Sequence, residues 1–289
     1  MQFSSKFARR SAQVAIAASL SVALIAGSAG SAFAALTGTL KLGGSTTVQP
    51  LAQKLADKFH DVNQGVNVTV AGGGSGVGIN GALDGTWNIG MSSNALSSDN
   101  IAAGLVGTTM AKDAVTFVVN PSNKVKALTI AQIKKIWTGK ITNWKQLGGV
   151  SHKIDVYGRA AGSGTGDFVN KNVLGDADMK APWTGGTSPT LVSTLKTYNS
   201  NGELRNGVAG DKYAIGYVGM AYATSKVRGI KLNGYLANRV NAKSGKYPIV
   251  RNLWWVTKGA PTGLAKAFID YSLSKNGQSW VNTLYLPLH

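Results

Sequence analysis

The chain has 289 residues, with 30 Lys and Arg against 12 Asp and Glu, three His and no Cys. Without cysteine there is no disulfide, no thiolate metal site and no thiol nucleophile. The formal net charge of +18 points to anionic partners.

Three of the cations, Lys6, Arg9 and Arg10, precede an apolar run over residues 14–26 and the small-residue triplet Ala32-Phe33-Ala34. That order is the signature of a cleaved export signal, so residues 1–34 are read as a signal peptide. The apolar run is too short to span a bilayer. The expected product is soluble outside the cytoplasm, periplasmic or otherwise secreted, with no lipid anchor. Its remaining cations are spread singly, Lys134-Lys135 being the densest pair, and no basic stripe interleaves with aromatic residues. Nucleic acid is therefore not an expected partner.

After the signal, the pattern alternates between strand and helix. Residues 40–42 read as a strand and 50–62 as a helix, with Leu51, Leu55 and Phe59 on one face. Residues 66–70 alternate like a strand, a glycine-rich turn follows, and a helix runs through Ile79 and Leu83 to a strand end at 89–91. Further strands are expected at 115–119, 154–157 and 214–218, with a helix at 129–137, a stretch rich in bulky residues at 247–256 and a closing helix pair over 263–284. This alternation predicts an α/β fold on open, parallel-type sheets, whose ligands bind beyond the carboxyl ends of the strands.

Three times a strand runs into a glycine-flanked hydroxyl turn that opens a helix. The turns are Gly43-Gly44-Ser45-Thr46-Thr47, Gly72-Gly73-Gly74-Ser75-Gly76 and Arg159-Ala160-Ala161-Gly162-Ser163-Gly164-Thr165. The first N–H groups of a helix lack intrahelical partners and carry partial positive charge, which suits an oxyanion. Any one turn is also explained by plain helix capping. Three of them, one bearing an arginine able to grip an oxyanion with parallel bonds, favour anion binding.

Other chemistries find less support. Gly76, Gly78 and Gly81 match a dinucleotide fingerprint, but they fall inside the helix opening instead of before it. His60, His152 and His289 stand beside charged residues or a chain end, there is no Gly-x-Ser-x-Gly elbow, and Ser163 has no evident base. No enzyme activity, metal or cofactor is expected. Trp137, Trp144, Trp254 and Trp255 have apolar neighbours and read as packing residues.

Several blocks together resemble the phosphate-specific extracytoplasmic binding proteins of ABC importers. They are Gly44-Ser45-Thr46-Thr47, Gly74-Ser75-Gly76, Ile89-Gly90-Met91-Ser92-Ser93, the run from Lys135 through Trp137-Thr138-Gly139-Lys140-Ile141-Thr142-Asn143-Trp144, Arg159 with Gly162-Ser163-Gly164-Thr165, Ala214-Ile215-Gly216-Tyr217-Val218 and Tyr247-Pro248-Ile249. The likeness covers nearly all of residues 38–288. It implies a two-lobed clamshell of the type II periplasmic binding protein class, each lobe a sheet flanked by helices. Residues 35–116 would form the first part of lobe one, 117–222 lobe two, and 223–289 a return segment and the C-terminal part of lobe one.

The resemblance also implies roles: Thr46 and Thr47 supplying a hydroxyl and a backbone N–H, Ser75 a hydroxyl, Arg159 charge-assisted bonds, and Ser163, Gly164 and Thr165 further donors. The monomeric receptor would capture inorganic phosphate and deliver it to an ABC permease in the inner membrane. Three positions depart from the pattern. Asn88 stands where relatives often have Asp, Ser93 where many have a ligand-facing Asp, and Asn94 where many have Arg. A carboxylate accepts the proton of hydrogen phosphate and repels sulfate, whereas the Ser93 hydroxyl can accept or donate. Sulfate or another tetrahedral oxyanion is thus the alternative ligand, ahead of a phosphatase or a surface adhesion protein.

Overall fold

The computed structural model describes residues 36–175 and 190–289, and the expected signal peptide lies outside the described residues. In the first part of the chain, β1 (Gly38–Gly44), α1 (Gln49–Val62), β2 (Val66–Gly73), α2 (Ser75–Asp84) and β3 (Ile89–Ser92) alternate as expected, and a short helix that was not expected, α3 (Ser98–Ala102), follows. β4 (Leu105–Val119), β5 (Ala127–Leu128), α4 (Ile130–Trp137), β6 (Asp155–Arg159) and α5 (Gly164–Val169) follow, α5 widening into a π-turn over Asn170–Leu174. Then come β7 (Lys196–Tyr198), α6 (Asn201–Gly210), β8 (Ala214–Gly219), β9 (Arg228–Gly229), β10 (Lys231–Leu232) and α7 (Arg239–Lys243). The chain closes with β11 (Val250–Lys258), α8 (Gly263–Leu273) and α9 (Lys275–Val281).

Local sequence accounts for the helices. Pro50 pre-sets the first turn of α1, and Leu51, Ala52, Leu55, Ala56 and Phe59 form its buried stripe. Thr129 and Gln132 make a reciprocal capping box at the start of α4, which buries Ile133, Ile136 and Trp137. The glycines of the supposed dinucleotide fingerprint serve packing. A Cβ on Gly78 would sit 2.4 Å from the Met91 carbonyl oxygen and 2.8 Å from that of Gly43, so only glycine lets α2 lie this close to the strands.

The sheet order is β2-β1-β3-β11-β4-β8-β6-β7, with β9 added beside β4. β1 pairs in parallel with β2 and β3, and β6 in parallel with β7 and β8. The expectation of parallel-type sheets fails in the middle, where β11 runs antiparallel to β3 and β4, and β4 antiparallel to β8. The reason is the route of the chain. It leaves the first half along β4 and returns along β11, so these neighbours must point in opposite directions.

Two large apolar cores form on either side of that crossing, giving the two-lobed clamshell. One gathers Leu40, Leu42, Leu51, Leu55, Phe59, Trp255 and Phe268. The other gathers Phe117, Ile133, Trp137, Trp144, Tyr217, Tyr247 and Ile249. Ile230 and Leu232 also belong to the second core, so part of the segment expected as a return path packs with this half. Trp137, Trp144 and Trp255 are fully buried and Trp254 half-buried, consistent with packing roles.

Phe268 stacks edge-on against Phe59 at 5.4 Å and Trp255 at 5.6 Å between ring centres. Phe268→Ala is expected to destabilise the fold by about 3–5 kcal/mol, read from the shift of the urea unfolding midpoint.

Candidate functional site

Four helix starts converge where the two halves meet. The turn after β1 brings Thr46 and Thr47 to the start of α1, and the turn after β2 brings Ser75 to the start of α2. The turn after β6 carries Arg159, Ser163, Gly164 and Thr165 into α5, and the end of β7 leads into α6 at Asn201. All eight residues singled out in the sequence are buried, Ser93 included. Tyr222 and Tyr285 donate their hydroxyl protons to the Thr46 and Thr47 carbonyl oxygens at 2.7 and 2.5 Å, which holds the first turn in place.

Direct bonds cross from one half to the other. Thr47 Oγ1 lies 2.9 Å from Thr165 Oγ1, the Gly76 N–H donates to the Gly162 carbonyl at 3.0 Å, and Arg159 Nη2 donates to Thr46 Oγ1 at 3.3 Å. Ser75 Oγ accepts from the Ser93 N–H at 3.0 Å and lies 3.3 Å from Ser93 Oγ. Ser163 Oγ accepts from the Gly166 N–H at 3.2 Å, so it caps α5 through a lone pair and keeps its proton for another acceptor.

Arg159 is the electrostatic centre of this seam. Its Nε donates to the Tyr198 carbonyl at 3.2 Å and its Nη2 to the Asn199 carbonyl at 2.9 Å. Its Nη1 is buried and has no hydrogen-bond partner among the described residues. Loss of hydration lowers its pKa to about 10, with the nearby Arg251 cation adding to the effect and Tyr217 opposing it. The group stays charged at neutral pH. A buried cation with an unused donor, ringed by hydroxyls, favours an anionic oxygen at that donor.

Three residues at the seam were not anticipated. Arg251 on β11 donates through Nε and Nη2 to Asp113 Oδ2 at 3.1 and 2.9 Å. Its Nη1 reaches the Ser93 and Gly164 carbonyls at 3.1 and 3.2 Å, and its Nη2 reaches Thr47 Oγ1 at 3.2 Å and Thr165 Oγ1 at 2.9 Å. Asn201 is fully buried and donates through Nδ2 to Thr46 and Thr47. Arg251 gave one partial signal, a charge among the bulky apolar residues of its strand that must find a partner if the strand is buried, whereas Asp113 follows Lys112 and reads as part of a polar stretch. Asn201 had none beyond its place after Ser200, the N-cap of α6.

The departures at positions 88, 93 and 94 separate in space. Asn88 is exposed and accepts the Lys41 N–H at 2.8 Å, away from the hydroxyl cluster. Asn94 lies on the rim, where a cavity of 630 Å³ is lined by Ser93, Asn94, Asp167, Phe168, Arg251 and Trp254 among others. Loss of hydration raises the Asp167 carboxyl above its ordinary pKa. Ser93 alone of the three belongs to the cluster. Among the described residues there is no cluster of three or more His, Asp or Glu able to hold a metal, and no helix long and apolar enough to cross a membrane.

The seam is tight at Gly164, where an added Cβ would sit 2.3 Å from Ser75 Oγ and 2.9 Å from Ser93 Oγ. Gly164→Ala is expected to hold the halves apart while sparing both cores. Solution scattering should show a larger radius of gyration with a circular dichroism spectrum like that of the unaltered protein.

A PBP superfamily domain model matches residues 29–276. The phosphate-binding protein PstS of Bacillus subtilis is 34% identical over 257 residues, covering 87% of this chain and 81% of the relative. PstS of Borreliella burgdorferi is 31% identical over 247 residues, covering 84% of this chain and 87% of the relative. A crystal structure from Clostridium perfringens with bound phosphate, assigned as a phosphate ABC transporter substrate-binding protein, superposes with a TM-score of 0.79 at 33% identity, covering 86% of this chain and 99% of that one. These matches agree with the two-lobed architecture and span both halves of the seam. The chain belongs to the PBP superfamily, within the family of phosphate-binding proteins related to PstS.

Proposed function

We propose that the chain is an extracytoplasmic receptor that captures inorganic phosphate between its two lobes and hands it to an ABC importer. The observation that carries this reading is the buried Arg159 Nη1, a cationic donor beside Thr46 without an acceptor among the described residues. Thr46, Thr47, Ser75, Ser93, Ser163, Gly164 and Thr165 complete the binding set. Lobe one comprises the described residues from 36 to about the Asp113 position of β4 together with β11, α8 and α9, and lobe two the described residues between. Binding is the only chemistry, and the closed receptor docks as a monomer on a membrane permease. The named roles of the relatives support this reading, as does the bound phosphate in the Clostridium perfringens structure.

Selectivity follows from which groups can accept a proton. The Asp113 carboxylate is held by Arg251, so the Ser75 and Ser93 hydroxyls are the acceptors open to a protonated phosphate oxygen. Sulfate has no proton to offer them, and a hydroxyl repels it less than a carboxylate would. Phosphate preference is therefore modest.

Titration calorimetry tests both points. Phosphate should bind more tightly than sulfate by about tenfold, near 1.4 kcal/mol. Equal affinities would make the protein a general oxyanion receptor. Arg159→Ala should weaken phosphate binding on the order of 100-fold, within the loss of about 1.5–3 kcal/mol expected for a charge-assisted hydrogen bond, with both cores intact. Retained affinity would place the ligand elsewhere.

A further inference from the structure

We infer that Asn201, backed by Arg251, is a positioning residue that fixes which way the site's hydroxyl protons point, and thereby makes the site a one-way donor to anions. The inference rests on the site reading above and concerns residues that do not themselves have to touch the ligand. A threonine hydroxyl has one proton and two lone pairs, so two donors arriving at its oxygen oblige it to donate. Thr46 Oγ1 receives Asn201 Nδ2 at 3.0 Å, the Asn201 main-chain N–H at 3.3 Å and Arg159 Nη2 at 3.3 Å. Its lone pairs are taken, and its proton must be given to something else.

The same inventory runs through the neighbouring threonines. Thr47 Oγ1 receives Asn201 Nδ2 at 2.9 Å and Arg251 Nη2 at 3.2 Å. Its own proton therefore goes to Thr165 Oγ1, 2.9 Å away. Thr165 Oγ1 shares with Thr47 the one Nη2 hydrogen of Arg251 that Asp113 leaves free, at 2.9 Å, so both its lone pairs are engaged and its proton is left for a further acceptor. Arginine can only donate. The direction of the Asn201 amide is set independently, because the Gly219 N–H donates to its Oδ1 at 3.2 Å and leaves the nitrogen to face the threonines.

Two hydroxyls, Thr46 and Thr165, thus emerge as obligate donors. An oxygen bearing only lone pairs is matched there, whereas a ligand hydroxyl or ammonium would meet proton with proton. The Ser75–Ser93 pair carries no such bias, since either hydroxyl can donate to the other. A phosphate proton would accordingly be read on the Ser75 and Ser93 side, and the bare oxygens on the threonine side.

The test is calorimetric titration of inorganic phosphate into the whole chain and two variants, with thermal unfolding recorded on each. Asn201→Asp keeps the shape but replaces the donor by an acceptor that draws the Thr46 and Thr47 protons inward, and should weaken phosphate by about 100-fold or more. Asn201→Ala leaves the hydroxyls free to turn and should weaken phosphate by about tenfold. A purely structural role would reverse that order, because the truncated side chain leaves the larger hole. Alanine binding as well as the unaltered protein, which would reduce the aspartate effect to simple charge repulsion, overturns the inference. So does an aspartate variant that binds within about threefold of the unaltered protein. If the aspartate variant does not fold, the alanine variant decides alone, with unchanged affinity overturning the inference. Failure of the unaltered chain to bind phosphate would instead bring down the site reading.

Discussion

Two opposite charges face each other on adjoining strands, Asp113 on β4 and Arg251 on β11, at the place where the chain passes from one core to the other. Taking both ions out of water costs several kcal/mol each by general expectation, and the cost is offset only when the remaining donors also find acceptors. Here they do. The guanidinium reaches Asp113, two threonine hydroxyls and two main-chain carbonyls, and those acceptors come from both sides of the seam. The pair therefore holds the crossing strands in register and at the same time sets the position of the turns that carry the hydroxyls.

Arg159 has the opposite character. Among the described residues it has no carboxylate partner, its main-chain acceptors use Nε and Nη2, and Nη1 is left over. The seam thus separates two jobs that a single cation could not do well. The neutralised arginine builds, and the uncompensated one attracts. An anion arriving at Arg159 would relieve the loss of hydration that now depresses its pKa, so ligand charge and receptor stability act in the same direction.

Local pattern carried much of this architecture. The stripe of Leu51, Leu55 and Phe59 marks α1, the Thr129–Gln132 box marks α4, and the glycine-hydroxyl turns mark where strands hand over to helices. What stayed hidden was pairing between distant residues. β4 shows its strand character only over 115–119, because the stretch before it carries Thr108, Thr109, Lys112 and Asp113 and breaks the apolar run. Its antiparallel partner lies far along the chain, and nothing in the local spacing of β11 says so. Among the site residues, those in glycine turns were legible because the turn chemistry is local. Asp113 and Asn201 were not, and Arg251 showed only that it needed a partner, because the meaning of each depends on residues from other elements.

β4 runs for fifteen residues, bulged at Met110 against β11, with one end in the first core's sheet and the other in the second's. A hinge made of loose loop would let two bodies swing independently. A shared pleated ribbon behaves more like a torsion spring, in which a rotation of one lobe must twist peptide units that remain hydrogen-bonded to the other. Opening would then store elastic strain in the backbone, and that strain would return as a restoring torque when the lobes come back together.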